Sequence, residues 1–217
     1  MKPLIYLCCI VLFASSCSFD QEIHFNKDWS GNAAFMVDLS TMMAMLPPDT
    51  TGGGLGGPTE SLTKGFTEME EEFSKTEGIS NVEVEEDKEL GKMQIKFDFA
   101  SIDALNNCLQ GEGDMGAVLS NKDHVFFRVK GKNKLIYEVP KMGESLKEEE
   151  PNMNLDQMAG MAAMMRYHLK LTFDRKVKKA SSDNQYTKQT KSVEQDFGLD
   201  ALMKEGFNGT IEVTLGK

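Results

Sequence analysis

The strongest constraint on what this chain can fold into is a set of short runs in which apolar and polar residues alternate. Met93, Ile95, Phe97 and Phe99 put four apolar side chains on one side of an extended segment, with Gln94, Lys96 and Asp98 on the other. Tyr167, Leu169, Leu171 and Phe173 do the same against His168, Lys170 and Thr172. Successive side chains of a strand point to opposite faces, so each run buries one face and wets the other. Ile23 and Phe25 alternate before the turn-rich Asp28-Trp29-Ser30-Gly31-Asn32, and Phe35, Val37 and Leu39 resume after it, which predicts a hairpin. Val82 and Val84 lead through Leu90-Gly91 into the Met93 run, a second hairpin. A third has Val125, Phe127 and Val129 inward, a turn at Gly131-Lys132-Asn133, then Leu135, Tyr137 and Val139; Phe126 and Ile136 make its other face partly apolar. The polar stretch from Val177 to Val193 reads as an exposed hairpin, and Ile211, Val213 and Leu215 as a closing strand.

Helical spacing fills the intervals. Leu39, Met42, Met43 and Leu46 share one face of a short helix that Pro47 and Pro48 end. The glycine-rich stretch over 50–58 reads as a mobile loop, because it lacks the Lys-Ser/Thr of a phosphate-binding loop. Thr59 is an N-cap for a helix carrying Leu62, Phe66, Met69 and Phe73, closed by Gly78. Ser101 caps a helix with Ile102, Leu105 and Leu109 that ends at Gly111-Glu112-Gly113. Leu155, Met158, Met161, Ala162 and Met165 mark another, and Phe197, Leu199, Leu202 and Met203 a last short one. Phe97 to Leu105 echoes Gln195 to Leu202, read here as a shared strand-to-helix join. Strands in consecutive pairs imply an α+β fold: antiparallel sheet(s) built from consecutive hairpins, with short helices packed on one face. Residues 22–217 form one such domain, which a charged linker over 143–153, with Glu148-Glu149-Glu150-Pro151, would divide into two lobes.

The N-terminus has a different character. Lys2 precedes an apolar run from Leu4 to Phe13, then the small residues Ala14, Ser15 and Ser16 lead directly into Cys17. About ten apolar residues are too few to cross a bilayer, which needs about 20, so residues 1–16 read as a secretory signal peptide. The junction resembles the lipobox of bacterial lipoproteins. That resemblance implies cleavage before Cys17, a diacylglyceryl group on its thiol, and acylation of the new amine. Residues 17–21 would then be the lipidated end and a short tether. The mixture of paired strands and short helices resembles uncharacterised Bacteroidota-type envelope lipoproteins. Ser18 after the cysteine is similar to their outer-membrane sorting, with the periplasmic or surface side left open. Tyr167 to Phe173 with Val177, through Ile211 to Leu215, resembles the end of LppM-type lipoprotein domains, although Asp174 stands where those usually carry proline.

The formal charge of −10 argues against nucleic acid as a broad partner. Cys8 and Cys9 leave with the signal peptide and Cys17 is taken by lipid, so Cys108 stands alone and reads as a buried apolar thiol. His24, His124 and His168 sit on polar strand positions without metal-ligand spacing, and no nucleophile motif or calcium-loop rhythm appears. No cofactor beyond the covalent lipid is implied. Methionine is abundant, at 15 residues, and flexible thioethers adapt to irregular apolar shapes. Met42, Met43, Met158, Met161 and Met165 are therefore candidates for an apolar ligand site.

Together these readings describe a membrane-anchored, non-enzymatic envelope lipoprotein with a binding or structural role. Its partners would be the membrane and an envelope protein. The alternative is a carrier or sensor of an acyl chain or apolar peptide through the methionine-rich helices, and the third reading is an envelope hydrolase. Oligomeric state stays open.

Overall fold

The computed structural model describes residues 17–41, 56–87, 90–110, 124–139, 165–182, 186–198, 200–201, 207 and 209–216. Its elements in order are β1 (Cys17–Phe25), β2 (Gly31–Asp38), α1 (Gly56–Lys75), β3 (Ile79–Asp87), β4 (Lys92–Phe99) and α2 (Ile102–Leu109). There follow β5 (Phe127–Lys130), β6 (Lys134–Tyr137), β7 (Met165–Phe173), β8 (Val177–Ser182), β9 (Tyr186–Lys188), β10 (Ser192–Gly198) and β11 (Ile211–Leu215). The fold is α+β. A seven-stranded sheet runs β3-β4-β2-β1-β7-β10-β9 and a four-stranded sheet runs β5-β6-β11-β8.

The first two hairpins form where alternation predicts them. β1 and β2 pair from Ser18↔Asp38 to Phe25↔Gly31, and Asp28 accepts from the Ser30 amide and hydroxyl to shape the turn. At Gly31 a Cβ would lie 1.8 Å from the His24 carbonyl oxygen, so only glycine fits there. In the second hairpin Gly91 takes φ 63, and a bulge between Ser80 and Glu83 is accompanied by Asn81 at φ 53. The Ser101 hydroxyl caps α2 by accepting from the Ala104 amide at 3.1 Å, as the sequence predicts.

One face of the large sheet is the core. Phe19, Ile23, Phe25, Phe35, Ile95, Phe97, Phe99, Tyr167, Leu169, Leu171 and Phe173 are all buried on it. At the β3–β4 side, α1 covers this face, with Phe73 edge-on to Phe97 at 5.0 Å. Beyond β2, the small sheet takes over: Phe127 meets Phe25 at 5.6 Å, and the Tyr137 hydroxyl reaches Tyr167 at 2.8 Å. The two sheets thus share one core.

Several expectations need correction. β1 pairs β7 in parallel, Cys17↔Met165 through Phe25↔Phe173, so the large sheet is mixed rather than antiparallel throughout. Residues 17–21, expected as a tether, are the first half of β1. Met165 begins β7 instead of ending a helix. Gly56 to Pro58 belong to the first turn of α1, not to a loop. Val125 is 39 % exposed while Phe126 and Phe127 are both buried, because the third hairpin is covered on both sides at that end. Val177 to Val193 is not one hairpin. β8 joins β11 in the small sheet, whereas β9 and β10 join the large one. Phe197 stays in β10, stacked on Tyr167 at 5.0 Å, and only residues 200–201 are helical among the described residues that follow. The linker over 143–153, the helix after Thr41 and residues 1–16 lie outside the described residues.

Candidate functional site

The concave feature with the most definite chemistry lies beside β5, an edge strand of the small sheet. The Glu138 amide donates to the Phe126 carbonyl at 2.8 Å, so the main-chain groups of residues 126, 128 and 130 face β6. Those of Phe127 and Val129 then face outward. α2 closes the first of these two positions. Asn106 donates Nδ2–H to the Phe127 carbonyl at 2.8 Å and accepts the Phe127 amide on Oδ1 at 2.9 Å. A buried side-chain amide thus stands where a neighbouring strand would pair. Gln110 extends the seam by donating to the His124 carbonyl at 2.8 Å.

Past Asn106 the seam opens. The N–H and C=O of Val129 are directed into a groove of about 570 Å³ lined by Trp29, Ile102, Asp103, Val125, Arg128 and Lys130, among others. Trp29 is held in place from behind. Arg175 lies 4.5 Å over its ring and donates Nη1–H to the Lys132 carbonyl at 2.7 Å and to Asn133 Oδ1 at 3.2 Å. Trp29 also carries φ 72, an uncommon conformation for a residue with a side chain. A main-chain position that no described residue pairs, beside indole and aliphatic side chains, suits an extended, partly apolar backbone. No serine, cysteine or histidine is among the described residues that line it.

The residues singled out from the sequence are scattered. His24 lies 3.4 Å from Asp174 on the outer face of the large sheet. His168 shares that face four rows away, beside Asp20 and Asp196 in register, and lines a shallow recess with Tyr186 and Thr187. His124 sits at the other sheet, with Nε2 2.9 Å from the Glu138 carbonyl. Among the described residues no group of three or more His, Cys, Asp or Glu could hold a metal. Cys108 is buried in α2, and desolvation, with the Glu72 charge adding to it, pushes its thiol pKa far up. Such a thiol is a poor nucleophile at neutral pH. Cys17 opens β1 on the core face, beside Met165. Met42, Met43, Met158 and Met161 lie outside the described residues, so of the five methionines only Met165 is placed, half-buried at the start of β7.

Sequence reasoning missed Asn106, though a signal was present. Ile102, Leu105, Asn106 and Leu109 fall at i, i+3, i+4 and i+7, which puts an amide on the apolar face of a helix. It also missed Gln21, whose Oε1 accepts from the hydroxyls of Tyr137 and Tyr167 inside the core. Burial raises the pKa of both phenols.

No family model matches the sequence, and no curated protein matches it. A solved structure that does match is the folded domain of LppM from Mycobacterium tuberculosis, determined by NMR. The TM-score is 0.42 at 12 % identity, covering 92 % of this chain and 89 % of that one. No helix among the described residues is long and apolar enough to cross a membrane.

Proposed function

We propose that this chain is a bacterial envelope lipoprotein, anchored through Cys17, that binds or braces a partner and performs no catalysis. The observation that carries the reading is the junction Ala14-Ser15-Ser16-Cys17 set immediately before β1. β1 lies inside the large sheet, with β2 and β7 on either side. An anchor on Cys17 therefore joins the membrane directly to the folded body, at the rim of its sheet. Ser18 favours the outer membrane as the destination, and an envelope protein is the partner proposed.

The test is metabolic labelling with an alkyne fatty acid, followed by membrane fractionation. Wild-type protein should carry label and sediment with membranes, while Cys17→Ala should lose both or accumulate uncut. Unchanged labelling and sedimentation of Cys17→Ala would overturn the reading.

The groove beside β5 favours a second reading, recognition of an apolar peptide through residues other than the candidate methionines. Trp29→Ala should weaken peptide capture without releasing the protein from membranes.

A further inference from the structure

An anchor on Cys17 leaves the folded body no length of chain on which to swing, because Cys17 is itself the first residue of β1. One rim of the large sheet then lies at the bilayer, and the strand register says which residues share it. Across β3, β4, β2, β1 and β7 one row runs Asp87, Lys92, Asp38, Ser18, Arg166. Two carboxylates and two cations cancel in that row, and Lys92 bonds Asp38 at 2.8 Å. In a chain of net charge −10, this row does not add to the repulsion that anionic headgroups exert on an acidic surface. One residue further out the composition turns apolar. The Leu39 amide donates to the Gly91 carbonyl at 2.9 Å, and Cys17 pairs with Met165.

Leu90 stands at the tip of this rim, in the turn between β3 and β4, two residues beyond Lys92. Among the described residues two large apolar side chains are exposed, Leu90 at 52 % and Val125 at 39 %. Val125 lines the groove with Trp29, whereas Leu90 shares the rim of Cys17. A single exposed leucine is ordinary on a protein surface. This one is held outward by a braced turn: its amide donates to Asp87 Oδ1 at 3.0 Å, and Gly91 next to it is tied to β2 by the Leu39 amide. β4 is two strands from β1, so the turn lies about 10 Å from the anchor along the rim. The opposite rim is different in kind, with Asn26, Lys27, Asp28, Asp174 and Lys176 all exposed.

We propose that the Cys17 rim is a membrane-contact surface, where the β3–β4 turn sets Leu90 into the acyl boundary and stands the large sheet upright on the bilayer. This rests on the anchor proposed above and adds a second point of contact to it. Acyl chains on Cys17 supply the attachment, so Leu90 governs orientation rather than affinity. A body held at one point tilts freely, and a second point some distance along the rim removes one of its tilts. The upright stance has a consequence for the groove beside β5. Phe25 is eight residue steps from Cys17, about 26 Å along β1, and Trp29 lies in the turn beyond it. The groove is therefore carried at the far end of the molecule and presented away from the lipid.

Lipidated protein, purified in detergent from cells expressing the full chain, is reconstituted into vesicles of phosphatidylethanolamine and phosphatidylglycerol that carry a diazirine-bearing phosphatidylcholine. After photolysis, mass spectrometry should find lipid adducts on the peptide that holds Leu90 and none on the peptides that hold Trp29 or Val125. Leu90→Glu should lower the adducts at that turn at least about fivefold, because a carboxylate is costly in the acyl region. Its sedimentation with vesicles and its urea midpoint should not change, and Leu90→Met should label as wild type. The proposal fails if anchored protein gives no adduct at the turn, labels both rims alike, or labels equally as Leu90→Glu. It also fails if the Leu90 turn crosslinks to a second copy of the chain in place of lipid. Protein that carries no acyl group and stays in the supernatant would refute the anchor itself and the rim with it, whereas anchored protein with an unlabelled turn refutes the rim alone.

Discussion

Replacing Gln21 with leucine probes how the two sheets are locked together. Gln21 is 4 % exposed, and its Oε1 accepts from Tyr137 at 3.1 Å and from Tyr167, whose hydroxyls are 2.8 Å apart. Each hydroxyl has one proton, so only two of these three contacts are hydrogen bonds at any moment. Gln21→Leu removes the acceptor. The phenols can then bond only to each other, and one proton is left buried without a partner, at a cost of about 1–3 kcal/mol. Removing all three polar groups, as Gln21→Leu/Tyr137→Phe/Tyr167→Phe, leaves nothing unsatisfied and should return stability to within about 1 kcal/mol of wild type. Urea unfolding followed by Trp29 fluorescence and far-ultraviolet circular dichroism measures both, provided the slope is unchanged. In a chain this long each kcal/mol corresponds to about 2–4 °C in Tm. A triple variant as unstable as the sum of its single substitutions would refute the accounting, since it would show three independent contacts rather than one closed network.

Asn106→Ala should cost about 1–3 kcal/mol by orphaning the buried Phe127 amide and carbonyl, and hydrogen exchange at Phe127 should accelerate more than at Leu135. Stability should also fall at high pH. Tyr137, Tyr167 and Cys108 all have native pKa values raised chiefly by burial, so their contribution is complete below the unfolded values, about 8.5 for thiol and 10 for phenol, and drains away as pH rises past them. A urea midpoint that stays flat from pH 8 to 11 would contradict this; Tyr137→Phe with Tyr167→Phe should shallow the decline.

How much was legible depended on whether the deciding contact was local. β4 and β7 were readable because four buried residues alternate in each, and Ser101 because its cap acts three residues away. β11 was equally clear. The β1–β7 pairing was not, since nothing local in Cys17 to Phe25 distinguishes a parallel partner 148 positions along the chain. The division of Val177 to Val193 between two sheets was hidden for the same reason, because Val177 and Ala180 are buried three residues apart through a register shift at Leu215. Phe126 and Phe127 broke the alternation by both being buried. At the groove, Ile102 and Val129 read as ordinary core positions. Only the fold could show that Asn106 closes one main-chain position of β5 and that no described residue closes the next.

The parallel pairing of β1 with β7 also sets the order in which the molecule can be finished. Hairpins such as β1–β2 and β5–β6 can close soon after they are synthesised, since their strands are separated by a few residues. The middle of the large sheet cannot. One flank of its N-terminal strand stays unpaired until residues 165–173 have been made, so an early apolar strand must wait for a late one. Long-range closure of this kind slows folding and prolongs exposure of unpaired strand edges. A chain built in this way remains unfinished through most of its synthesis, its first strand half-paired until its late partner exists.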